Sequence, residues 1–73
     1  TTDPKSFMSH HLLGRCLFET GDYQGAINSQ LEASKINFLY APSYLHRAFA
    51  HERLDQFNDA ANTIIQYLLL QRN

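Results

Sequence analysis

The chain has 73 residues and a formal net charge of -1, enough for one small domain that buries only about 60% of its unfolded surface. Apolar residues make up 44% and charged residues 18%, a balance too apolar for a disordered chain and too polar for a membrane-embedded one. Lys and Arg nearly offset Asp and Glu, and no basic stripe is present, which argues against nucleic acid as a partner.

Phe7, His11, Leu12 and Cys16 are spaced three and four apart, as are Leu13, Leu17 and Phe18; this predicts a first helix over about residues 5–20. Thr20-Gly21-Asp22 ends it, because Gly21 enters the left-handed region at low cost and Asp22 is suited to cap the next helix. Tyr23, Ala26, Ile27, Leu31 and Ser34 continue the rhythm and predict a second helix over about 24–37. Pro42 suits the first turn of a third helix, over about 41–54, where its missing N–H is not needed. Tyr44, Leu45, Ala48, Phe49 and Glu52 carry the spacing there. Asp55-Gln56 repeats the Gly21-Asp22 turn in weaker form, since Asp tolerates the left-handed region less well than Gly. Phe57, Ala60, Ala61, Ile64, Tyr67 and Leu68 predict a fourth helix over about 58–71. Connections this short force each helix antiparallel to its neighbour, so the expected fold is all-α, two stacked helical hairpins.

Shifting the chain by 34 residues places Gly14 on Ala48, Tyr23 on Phe57, Ala26 on Ala60 and Leu31 on Ile65, with no gap. Small residues fall on small ones where two helices cross closely, and an aromatic falls on an aromatic at the base of each hairpin. Tyr23 and Phe57 are expected to wedge there. The first unit, about 7–40, reads Leu13-Gly14, Leu17, Gly21-Asp22-Tyr23, Ala26-Ile27 and Ala33; the second, about 41–73, reads Tyr44, Ala48, Leu54, Phe57 and Ala60. In period and in these residues the chain resembles the tetratricopeptide repeat family over nearly its whole length. Phe38 stands where the family usually has Pro, Gln30 where a large apolar residue is usual, and Tyr67 where a small one is usual. Asp3-Pro4 fits either the end of a preceding repeat or an ordinary cap and first helical turn.

The resemblance implies a protein-interaction module of a scaffold, adaptor or co-chaperone, holding a peptide or helix in a concave groove lined by the first helix of each hairpin. Carried over by register, the groove positions are Met8, His11, Arg15, Phe18 and Glu19 on the first helix, and Leu45, Phe49, Glu52 and Arg53 on the third, with Leu39 and Tyr40 at the junction. Some family members clamp a C-terminal carboxylate with Lys and Asn over three repeats. Here those places hold His11, Arg15 and His46 in two repeats, so the full clamp is not expected. The last helix is apolar nearly all round, whereas a terminal solenoid helix is normally polar outside. By family register Ile64, Tyr67 and Leu68 face inward. Ile65, Leu69 and Leu70 are left for a following repeat or for a homodimer. The alternatives are accordingly a structural or oligomerisation module, or a non-catalytic domain attached to an enzyme in a longer parent chain.

Catalytic and metal chemistry are not expected. Cys16 is the single thiol, at a place where the family packs a small residue, so a buried inert thiol is anticipated. His10 and His11 are adjacent, and His46 and His51 are five apart, neither the spacing of a helical metal pair. Gly21 and Gly25 lack the pattern of a phosphate loop. No cofactor follows from any of this, and the partner expected is another protein or peptide, not a membrane. One cysteine permits no internal disulfide, and no signal pattern is seen at the start; a reducing, cytoplasmic setting is favoured.

Overall fold

The computed structural model of the protein describes residues 6–72, so Asp3-Pro4 lies outside the described residues. Four helices and no strand are found among them: α1 (Ser6–Glu19), α2 (Tyr23–Ile36), α3 (Ala41–Arg53) and α4 (Phe57–Gln71). Each begins and ends within one residue of its predicted bounds.

The turns explain that agreement. Gly21 has φ +90. Around it the Gly21 N–H donates to the Phe18 carbonyl at 3.1 Å and the Asp22 N–H to the Leu17 carbonyl at 2.8 Å, the paired bonds that close a helix on a left-handed residue. Asp22 Oδ1 then accepts from the Gly25 N–H at 3.0 Å and caps α2. The same device recurs between α3 and α4. Asp55 has φ 60, its N–H donates to Glu52 at 3.0 Å, and the Gln56 N–H donates to His51 at 2.9 Å. Pro42 sits in the first turn of α3. Ahead of it, the Asn37 side chain accepts from the Leu39 N–H at 3.2 Å, a local bond that turns the chain where α2 has stopped.

α1 packs on α2 and α3 on α4, making two hairpins. α2 packs on α3 and joins them, α1 meets α3 along a narrow edge, and α4 approaches α3 alone. The result is a slab of 35 × 32 × 15 Å. Its small apolar core is Ala26, Ile27 and Ala50, with Leu17, Phe18 and Tyr23 packed against it. Beside that core lies a polar contact between α1 and α2. Gln30 is 1% exposed; its Nε2 donates to the His11 carbonyl at 3.1 Å, and its Oε1 lies 2.9 Å from His11 Nδ1. The amide is thereby oriented with its acceptor toward the ring, so Nδ1 carries the hydrogen and donates. Gly14, buried one turn further along α1, makes room for this glutamine: a Cβ there would lie 2.6 Å from Gln30 Nε2.

Several expectations about burial are corrected. Tyr23 is half-buried, its ring 5.2 Å from that of Phe18, but Phe57 does not wedge: it is 61% exposed, because α4 packs on α3 alone and its other faces are uncovered. Cys16 is exposed, not buried, in a hollow on α1 that it shares with Leu12, Arg15, Glu19 and Thr20. On α4 the inward residue is Thr63, with Ile64, Tyr67 and Leu70 half-buried; Leu68, expected inside, is 55% exposed, as are Ile65 and Leu69. With only α3 beside it, α4 has a single covered face.

Candidate functional site

α1 and α3 run side by side along one face of the slab, and between them lies a hollow of about 240 Å³ lined by Arg15, Phe18, Glu19, His46 and Phe49. Four of these were expected from register. They converge because Arg15, Phe18 and Glu19 fall three and four apart on α1, one turn from the next, while His46 and Phe49 do the same on α3. Phe49 is an exposed phenyl. His46 stands edge-on to it, centroids 5.8 Å apart. Arg53, although not on the wall, places its guanidinium 5.4 Å from the Phe18 ring centroid, a contact worth about 0.5–1 kcal/mol at an exposed site.

The other predicted groove residues sit elsewhere. Met8 and Leu45 are half-buried and Glu52 is exposed, all outside the hollow. His11 is corrected outright: it is 3% exposed and hydrogen-bonded to Gln30 of α2, and it does not line the hollow. Its ring lies 5.2 Å from that of His46 and 5.1 Å from that of Tyr40, and Phe7 stands edge-on to Tyr40 at 5.1 Å. Leu39 is exposed in the α2–α3 connection. His46, named from register only as a carboxylate-clamp place, is the fifth residue of the wall. The signal for it was its place one turn before Phe49.

Arg15 and Glu19 are the charged groups of the hollow, with the imidazole of His46 beside them. Burial, then the neighbouring His11 and Arg15, hold the His46 pKa below its ordinary 6.5. The folded chain therefore favours neutral His46, and the unfolded chain binds the proton more readily. Stability from this group is complete above 6.5 and is lost as pH falls from there through the folded value. Thermal unfolding should accordingly move to lower temperature across that window, and His46→Gln should flatten the dependence. An undiminished slope in the variant contradicts this assignment.

On the far side, Leu69 and Leu70 line a second hollow of about 300 Å³ with Phe38, Tyr44 and Gln66; Ile65 lies outside it. Tyr44 Oη donates to the Phe38 carbonyl at 2.9 Å and fixes its rim. Among the described residues no group of three or more His, Cys, Asp and Glu is placed to hold a metal, and no helix is long and apolar enough to cross a membrane. Compared with protein-family models, curated proteins and solved structures, the chain matches none.

Proposed function

We propose that this chain is a protein-interaction module whose two hairpins stack in the tetratricopeptide manner, and that it holds a peptide or an amphipathic helix between α1 and α3 as part of a scaffold, adaptor or co-chaperone. The observation that carries this reading is the hollow that gathers Arg15, Phe18, Glu19 and Phe49, positions to which the repeat resemblance assigns ligand contact. Its chemistry fits a peptide: exposed aromatic surface for an apolar anchor, with Arg15 and Glu19 at the edge for register. No catalytic role is assigned to any residue. The module is equally at home attached to an enzyme in a longer chain, where it would serve as the part that binds.

The test is a peptide selected from a random library on the immobilised protein, with its affinity then measured for variants. Phe49→Ala and Arg15→Ala should each weaken binding about tenfold or more, as central interface residues do. Leu69→Ala, on the far hollow, should leave it unchanged. The reverse pattern overturns the groove assignment.

A further inference from the structure

The two hairpins are repeats, so every residue has a counterpart 34 places on, and the burial of counterparts is directly comparable. Across most of the repeat they agree. Gly14 and Ala48 are both buried, Ser29 and Thr63 are both buried, and Arg15 and Phe49 are both exposed. The sharpest disagreements, buried against exposed, fall along two stripes. On α3, Ser43, Arg47 and Ala50 lie four and three apart and are all buried; on α1 their counterparts Ser9, Leu13 and Cys16 are all exposed. On the other hairpin helices, Ile27 and Ser34 of α2 are buried and Tyr23 is half-buried. Their counterparts on α4, Phe57, Ala61 and Leu68, are all exposed.

The disagreement traces a single interface. Ile27 and Ala50 belong to one core cluster, with Tyr23 packed on it, so the centre of the two buried stripes is the α2–α3 seam; Arg47, on the α3 stripe, also reaches across to Gln66 of α4 at 3.1 Å. Each half is displayed a second time, uncovered, on α1 and on α4, two helices that do not touch each other.

A stripe that faces water should be more polar than its covered counterpart. At three of the six places the opposite holds: Leu13 replaces Arg47, Leu68 replaces Ser34 and Phe57 replaces Tyr23, with Leu12 and Ile65 exposed alongside, while Ser9 matches Ser43 and Ala61 replaces Ile27. Ala61 is smaller than Ile27 by three heavy atoms, while Cys16 is larger than Ala50 by one, so the repeated seam has less bulk at its centre than the internal one.

We propose that a second copy of this chain covers α4 with its α1, repeating the α2–α3 seam between molecules. Leu13 and Cys16 of one copy meet Phe57, Ala61 and Leu68 of the next. The second copy is the occupant because the chain itself carries a counterpart of each half of its internal seam. Pairing α4 with α4, the simplest form of the homodimer expected from sequence, leaves the α1 stripe bare. The two halves differ, so the contact is head-to-tail, and every bound copy still offers a free face at each end. Assembly therefore continues past two unless a ring closes. This surface adjoins the groove, since Cys16 shares a hollow with Arg15 and Glu19, but Leu13 and Leu68, on which its test rests, do not line the groove.

Sedimentation velocity tests it with the wild-type chain, Leu13→Glu, Leu68→Glu and an equal mixture of the two variants. Wild type should show a mass that rises with concentration beyond the dimer. Each variant alone lacks one half of every seam and should remain monomeric. The mixture retains one intact α1 and one intact α4, and should form a dimer of one copy of each that grows no further. Both positions are exposed, and helical circular dichroism establishes that each variant is folded; should either lose helix, Leu13→Ser or Leu68→Ser takes its place. The proposal is overturned if wild type stays monomeric to millimolar concentration. It is also overturned if Leu13→Glu still dimerises, which marks α4–α4 pairing, or if the mixture stays monomeric while wild type assembles.

Discussion

Gly14→Leu should be among the most damaging single substitutions in this chain. Gly14 lies in the interior of α1, where glycine costs roughly 0.5–1 kcal/mol relative to alanine, so its presence is explained by what it admits. A Cβ at this position would stand 2.6 Å from Gln30 Nε2 and 3.0 Å from Gln30 Cδ. The amide is not free to withdraw, because it is tied to His11 at both ends. A leucine must therefore push α1 from α2 or eject Gln30. Overpacking costs roughly 1–3 kcal/mol, and stranding buried polar groups adds a comparable amount. For a chain this small, with a stability of only about 3–5 kcal/mol, chemical denaturation should report a largely unfolded population in water. The mechanism has its own control: in a Gln30→Ala background the obstruction is gone, and Gly14→Ala should raise stability by about 0.5–1 kcal/mol through helix propensity alone. A loss in that background, equal to the loss in wild type, would mean that Gln30 is not what the glycine accommodates.

Gln30→Leu should be nearly as costly, although leucine is the more usual kind of residue for such a place. The substitution removes the acceptor for the buried His11 Nδ1–H, and an unsatisfied buried donor costs about 1–3 kcal/mol. Replacing both partners, His11→Leu with Gln30→Leu, should recover most of that loss, since removing both ends of a buried hydrogen bond leaves nothing unpaired. Urea midpoints of the two single variants and the double variant give the coupling. Strict additivity would show that the pair does not act as one unit.

The legibility of this molecule follows from how local each feature is. Helix bounds were readable because their causes sit within a few residues: Gly21 at positive φ, the Asp22 cap, Pro42 in the first turn of α3, and Asp55 repeating the Gly21 turn. Arg15, Phe18, Glu19 and Phe49 were readable as a group because helical spacing fixes the face of a residue once the register is known. His11 was misplaced for a different reason. Its burial depends on Gln30, nineteen residues away on another helix, and a glutamine at an apolar place looks like a departure from the pattern until its partner is seen. The exposures of Cys16, Phe57 and Leu68 were misjudged because they depend on which neighbour lies over them. Periodicity gives the same inward assignment to a covered helix and an uncovered one.

The central claim is that ligand is held between α1 and α3, and the most direct measurement is a titration of the isotope-labelled chain with the library-selected peptide, followed by amide chemical shifts. The account predicts that the largest shifts fall on Arg15, Phe18, Glu19, His46 and Phe49, with smaller ones at His11 and Arg53 beside them. Shifts confined to α2, or to the Leu69 and Leu70 side of α4, would contradict it.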